Sequence, residues 1–235
     1  MRFGKSDKIQ FISTVEGLES LEECLPQPAK NFIPEWFKNI PSKDTNTVKS
    51  CPSFPDYFSQ GYIIPMWSDV RLSSNSDSWF WETSTDKIKW ETHSNKQFLD
   101  YEKVKFNGVE AQFVFKALCP WRVITPPGWS VLQLPLFYHF NQKWSVLPGV
   151  IDTDVHSYIN QQVLYHGNGE TVTINRGDPF VLYIPFKRSE KLKSKIRYQN
   201  ENDIKNFNKQ EYRYKSIFSK SGYYRKLQRK RDKDV

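Results

Sequence analysis

The residues whose types and spacing could do chemistry are Asp152, Asp154 and His156. On an extended strand, side chains two positions apart share a face, so this spacing would set two carboxylates and an imidazole in a row. Ile151, Thr153 and Val155 would then point the other way, into a buried layer. Two carboxylates and a histidine suit a divalent ion such as Fe, Mn or Zn, with His139 or His166 as a further ligand. The competing reading is that these groups decorate the solvated face of a strand beside the turn at Pro148-Gly149. A cupin-like oxygenase would need His-x-Asp or His-x-Glu, with a second histidine toward the C-terminus. This chain has Asp-x-His and no histidine after His166, which disfavours that chemistry but leaves the scaffold open.

A second set suits a ligand rather than a metal. Trp121, Arg122 and Trp129 could stack a sugar or a base, and Arg176 with Arg188 could grip an anion through paired N–H groups. Core packing and structural ion pairing are the alternatives for the same residues. Nucleophilic and phosphate-loop chemistry find less support. Gly128-Trp-Ser130 lacks the second glycine of a nucleophile elbow. Gly167-Asn-Gly169 lacks a lysine and leads into a strand, not a helix. Cys24, Cys51 and Cys119 are too scattered for a disulfide framework or a paired zinc site, which leaves buried free thiols.

The elements that must position these groups are short. From 119 to 187, β-branched and aromatic runs (121–125, 130–140, 150–158, 170–174, 179–185) alternate with Pro, Gly and Asn turn clusters. That rhythm predicts a mainly β protein, a two-sheet sandwich of jelly-roll or cupin-like type. Upstream, 8–14 reads as a first strand, and 33–41 as a short helix with Pro34 at its first position and Pro41 as its stop. Residues 51–61 form a second such helix, with Gly61 as its stop. Residues 62–72 read as one strand whose Pro65 marks an edge or bulge. Segments 79–83 and 87–92 read as two strands joined by Ser84-Thr85-Asp86, and 109–118 as a strand entering the central stretch.

Charge divides the chain. From Lys187 onward there are 17 Lys and Arg against 6 Asp and Glu, a net of +11, while the preceding residues carry 17 against 20, a net of -3. Residues 1–188 are therefore read as the β-rich domain with helical decorations, and 189–235 as a basic helical segment, with a helix over 202–219 capped at Asn200. Arg225, Lys226, Arg229, Lys230 and Arg231, behind Tyr223 and Tyr224, could track nucleic-acid phosphates without sequence preference. A solvated, fraying helix end is the alternative. No run of about 18 apolar residues is present and the basic N-terminus lacks an apolar core, so neither a transmembrane helix nor a secretory signal is expected, and the location expected is cytoplasmic.

Several phrases resemble a known family when taken in order. They are Ile33-Pro-Glu-Trp-Phe37, Thr47 with Lys49 and Cys51-Pro52, and Asp56 with Pro65 and Trp67-Ser-Asp69. Pro120-Trp121, Pro127-Gly-Trp-Ser130, Gly149-Val-Ile-Asp-Thr-Asp154, and Gly177-Asp-Pro-Phe180 leading to Ile184-Pro-Phe-Lys-Arg188 follow. The order is similar to that of an uncharacterised family, a domain of unknown function found in bacteria and tailed bacteriophages, including marine ones. The resemblance covers roughly 33–188 and implies a phage or bacterial accessory role, with no activity or site residue to carry over. The expectation is thus a sandwich that binds a small molecule or a partner protein. A metal-dependent enzyme at Asp152, Asp154 and His156, or a nucleic-acid-associated protein acting through its tail, stand as alternatives.

Overall fold

The computed structural model describes residues 8–41, 47–51, 53–74, 78–93, 105–106, 109–110, 113–141, 143–167, 169–190 and 193–215. The chain divides into two units, Met1–Phe32 with Gln60–Glu190 and Ile33–Ser59 with Lys191–Val235. The segment carrying the two short helices thus groups with the C-terminal segment.

In chain order the strands are β1 (Gln10–Ser13), β2 (Gln27–Pro28), β3 (Tyr62–Pro65), β4 (Val70–Ser74), β5 (Trp79–Thr83), β6 (Trp90–Thr92), β7 (Lys105–Phe106) and β8 (Val109–Glu110). They continue as β9 (Phe113–Leu118), β10 (Trp121–Ile124), β11 (Trp129–Leu134), β12 (Trp144–Val146), β13 (Gly149–Ile151), β14 (Asn160–Tyr165), β15 (Val172–Ile174) and β16 (Pro179–Lys187). A five-stranded sheet runs β13-β11-β16-β3-β2, a four-stranded sheet β12-β14-β9-β6 and a three-stranded sheet β15-β4-β5, with β1-β10 and β7-β8 as separate pairs. All of these pairings are antiparallel. The protein is mainly β and sandwich-like, and its strands divide among more sheets than the two expected.

One core joins the sheets. Ile64, Val131, Val181 and Tyr183 come from the first, Phe115, Ala117, Val163 and Tyr165 from the second, and Leu72, Val172 and Ile174 from the third. Phe180 sits among three indoles, with ring centroids 5.6 Å from Trp67, 5.4 Å from Trp144 and 6.4 Å from Trp90. These rings are where the chain's aromatic excess is used, since each buries far more apolar area than an aliphatic side chain.

Three expectations change. The run 62–72 is two strands: Pro65 ends β3, and Met66 leaves the ladder to exchange backbone bonds with the Gly177-Asp178 turn (Met66 N to Asp178 O 2.7 Å, Gly177 N to Met66 O 2.8 Å). The register of β16 against β3 shifts at the same place, so β4 is free to enter another sheet. Residues 79–83 and 87–92 are not a hairpin, because β5 pairs with β4 while β6 pairs with β9. The run 130–140 also stops early, since Pro135 cannot donate to a ladder and the chain turns at Phe137–His139.

In the second unit, α1 (Glu35–Lys38) has Pro34 at its N-cap, one position earlier than expected, with an extended ψ of 143°. Its last carbonyls are met by Lys49, whose Nζ donates to Lys38 O at 2.8 Å and Ile40 O at 2.7 Å. Phe37 stacks on Phe54 and meets the edge of Phe58 across α2 (Ser53–Phe58). The helix α3 (Glu201–Lys215) opens on a reciprocal cap, Asp203 N to Asn200 Oδ1 at 3.0 Å and Asn200 N to Asp203 Oδ2 at 2.8 Å, as the sequence placed it. Residues 216–219, expected to extend this helix, lie outside the described residues. Among the described residues, no helix is long and apolar enough to cross a membrane.

Gly61, just before β3, lies close against the backbone of β16. Its φ is +68°, and a Cβ there would lie 2.0 Å from the Tyr183 carbonyl oxygen, so backbone rather than a flexible side chain would have to yield. Gly61→Ala is expected to lower stability by at least about 1–3 kcal/mol, read as a shift of the urea midpoint at unchanged m. An unshifted midpoint would show that this approach is not a constraint.

Candidate functional site

The strand expected over 150–158 ends at Ile151. The Asp152 carbonyl accepts from Val155 N at 3.0 Å and His156 N at 2.9 Å, which is one turn of helix-like chain rather than extended backbone. Side chains two apart therefore do not share a face: Thr153 is buried, Val155 is 82% exposed and His156 is exposed, edging the Tyr158 ring. The row of metal ligands read from the sequence does not form.

What does form is a cation–carboxylate cluster. Arg188, just beyond β16, places Nη2 2.6 Å from Asp154 Oδ2 and Nη1 2.8 Å from Asp154 Oδ1, a two-pronged pair. Nη1 also reaches Ser130 Oγ at 2.8 Å, the Trp129 carbonyl at 2.9 Å and Asp152 Oδ1 at 3.3 Å. Ser130 Oγ donates to Asp152 Oδ1 at 2.5 Å, and Gly128 N donates to Asp154 Oδ2 at 2.7 Å. Below them the Thr125 and Thr153 hydroxyls meet at 2.7 Å. The guanidinium stands between the carboxylates where a divalent ion would have to sit. Arg188 does hold an anion, as its residue type suggested, but the anion is the chain's own Asp154. The hydrogen bond from Arg188, helped by the Gly128 N–H, holds the Asp154 carboxyl below the usual range against the opposing effect of burial. Among the described residues, no group of three or more His, Cys, Asp and Glu is placed to hold a metal.

The proposed ligand residues are dispersed. Trp121 is core, and Arg122 lies over the Tyr158 ring at 3.9 Å. Arg176 pairs with Glu23 at 3.2 Å, and its backbone N–H donates to Asp69 Oδ1 at 2.8 Å. Arg176 and Arg188 stand at opposite ends of β16, about 30 Å apart at the rise of an extended strand, so they cannot grip one anion. Trp129 lines a shallow hollow of about 340 Å³ with Tyr62, Thr125, Pro126 and Pro185. His166 is buried at the end of β14, and desolvation lowers its pKa. Cys24 and Cys119 are buried free thiols as expected, while Cys51 is half-buried. Burial pushes the Cys119 thiol up to about 11. Arg225, Lys226, Arg229, Lys230 and Arg231 lie outside the described residues.

A larger concavity, about 420 Å³, lies at the other end of β16. Leu136, Phe137, Phe140 and Trp144 supply apolar surface, His139, Asn141 and Thr173 polar edges, and Asp178-Pro179 the floor at the start of the strand. The turn after β11 builds its lip. Phe137, Tyr138 and Phe140 meet edge to face at 5.2–6.3 Å, with Phe137 and Phe140 more than half exposed. Phe140 is the only non-glycine residue with positive φ among those described (52°). Asn141 Oδ1 fixes the following bend by accepting from Lys143 N at 3.0 Å and Trp144 N at 3.3 Å. Desolvation lowers the His139 pKa, partly offset by a hydrogen bond to the Phe32 backbone. His139 is thus neutral at pH 7, with one ring nitrogen donating to Phe32 and the other an acceptor. Of the cleft, sequence reasoning named His139, as a metal ligand, and read the Gly177-Asp178-Pro179 turn before an apolar strand as the kind that shapes a pocket mouth or ends any hairpin. The signal it passed over was Pro-Leu-Phe-Tyr-His-Phe (135–140), which breaks strand alternation.

No family model matches the chain, and no curated protein matches it. Among solved structures the chain is similar to native EIAV dUTPase at 8% identity, with a TM-score of 0.36 over 82% of this chain and 99% of that one. It is also similar to two structures of the dUTPase from phage phi11 of S. aureus, at 12% and 13% identity and a TM-score of 0.36 over 83% of this chain. They cover 97% and 96% of those chains. Likeness at this level carries no argument for activity.

The Arg188–Asp154 pair should be visible in acid. Unfolded, Asp154 takes up its proton near the ordinary value of about 4. Folded, it does so lower, so the pair's stabilisation is complete above about pH 5 and is lost as pH falls through the folded value. Asp154→Asn should therefore cost stability at pH 7 and progressively less toward pH 3. Thermal melts across that range that stay parallel would show that the pair contributes nothing.

Proposed function

We propose that the first unit is a ligand-binding module, a sandwich of jelly-roll type in a phage or bacterial accessory role. Its ligand is a small, flat, mostly apolar molecule taken into the cleft at 135–146. The observation that carries this reading is the lip: two exposed phenylalanines and a neutral histidine on a turn held in a strained conformation. A non-glycine residue in the left-handed region costs about 1–2 kcal/mol, and such conformations gather at ligand sites. The cleft's size and its mix of aromatic walls with few polar groups are those of a small-molecule site. Phe137 and Phe140 offer ring faces, and the free His139 nitrogen accepts one hydrogen bond from the ligand.

Ligand-observed NMR with a set of neutral heteroaromatic fragments tests this. Fragments bearing an N–H donor are expected to bind, and Thr173→Trp, which fills the cleft from an exposed position, is expected to abolish binding. Phe140→Gly suits the positive φ, so it should keep or raise the melting temperature while weakening binding. Because burial lowers its pKa, His139 stays an acceptor to below its ordinary value of about 6.5, so binding should persist at that pH and fall only at some point beneath it. No binding, or binding indifferent to Thr173→Trp, would remove the cleft from consideration.

A further inference from the structure

We propose that residues 193–215 bind single-stranded nucleic acid through an interleaved row of lysines and tyrosines, independently of the cleft. Residues 193–200 are exposed throughout, with Tyr198 at 87%, and of residues 201–212 all but Asp203 are exposed, Tyr212 at 77%. A fifteen-residue helix of this kind buries too little to hold itself by packing. Its order comes from local polar contacts: the Asn200–Asp203 cap and Arg197, whose guanidinium takes both Asp203 carboxylate oxygens. Arg197 is thereby spent. Lys195, Lys205 and Lys209 have no hydrogen bond or ion pair among the described residues.

The placement of these groups selects the partner. At 100° per residue, Lys205, Lys209 and Tyr212 fall within about 60° of arc, while Ile204 and Phe207 lie on the far side. Lys195 and Tyr198 lie on the exposed stretch that leads into the helix. A membrane-lying helix needs a broad continuous apolar face, and among the described residues Ile204 and Phe207, on a helix that also carries Glu201, Asp203 and Glu211, do not make one. Exposed phenol rings beside ammonium groups that have no partner among the described residues instead match a strand whose bases are free to stack and whose phosphates lie alongside. Residues 193–215 carry seven Lys and Arg against three Asp and Glu, a net of +4, within a stretch from Lys187 onward whose net is +11, which is the charge of a polyanion's partner.

The test is fluorescence anisotropy of the full-length protein with a labelled oligothymidylate of about 20 nucleotides, the same oligomer as duplex, and anionic vesicles of phosphatidylserine and phosphatidylcholine. Single strands are expected to bind in preference to duplex, with log affinity falling linearly in log salt. Lys205→Ala with Lys209→Ala should reduce that slope by about 1.4, at roughly 0.7 per phosphate contact. Tyr198→Ala and Tyr212→Ala should each weaken binding roughly five- to a hundred-fold with the slope unchanged. These side chains are exposed, so folding is not at stake, and Thr173→Trp should leave this binding intact. The proposal is overturned by absence of binding at low salt, by equal duplex affinity, or by oligonucleotide binding that ignores all four substitutions. Vesicle binding lost on Ile204→Ser and Phe207→Ser would overturn it in favour of a lipid surface.

Discussion

The body of the protein depends on one constraint, that β16 has a strand on each side and protein on each face. Phe180, Val181, Leu182 and Tyr183 are all buried, so the strand cannot alternate and every neighbour must accommodate it. Three indoles close around Phe180. Gln161 donates to the Tyr183 hydroxyl from the other sheet, and at Tyr183's backbone nothing larger than Gly61 fits. Because β16 is fixed so completely, its two ends are fixed as well. The cleft floor at Asp178-Pro179 stands at one end and the Arg188 cluster at the other.

The two ends differ in how their polar groups are satisfied. At Arg188 the partners are internal: two carboxylates, a hydroxyl and a carbonyl surround one guanidinium. The contacts are unequal. The Asp154 side chain is 8% exposed and takes the cation two-pronged, whereas Asp152 is 57% exposed and lies farther away, where water competes. Asp154 is therefore the member whose loss would strand a charge, and Asp152 is an accessory. The cluster also ties the 152–156 turn to the end of β16, which defines where the body stops and the basic segment begins. At the cleft the internal partners leave one face open. His139 uses one nitrogen on Phe32, and the aromatic lip meets solvent.

This contrast explains what the sequence disclosed and what it withheld. Strand identity was legible because β-branched and aromatic runs between Pro and Gly turns have few other structures to adopt, and the reciprocal cap of α3 was legible because it is local. Strand partnership was not legible. Whether β5 meets β6 or β4 depends on where Pro65 releases the chain and on which sheet Met66–Asp69 leads into, and no local propensity records that. The Asp-x-Asp-x-His reading failed on one assumption, that a spacing of two means one face. That holds only for extended chain, and Asp-Thr-Asp is as apt to turn as to extend. The partner that consumes the pair, Arg188, lies 34 positions from Asp154, beyond any local pattern.

Aromatic residues make up 16% of the chain, and their distribution separates its two candidate surfaces from ordinary exterior. An isolated exposed ring such as Phe80 is normal on a protein surface. Rings exposed together are informative, and among the described residues this happens in two places with different companions. At the cleft, Phe137 and Phe140 gather around a neutral imidazole on a strained turn, an arrangement suited to excluding water from a small apolar guest. Along 193–215, Tyr198 and Tyr212 are interleaved with unpaired lysines, an arrangement suited to charge neutralisation with water still present. The first gains from desolvation and is indifferent to salt, and the second gains from counterion release and is not. One ligand cannot satisfy both, so the two proposals stand or fall separately.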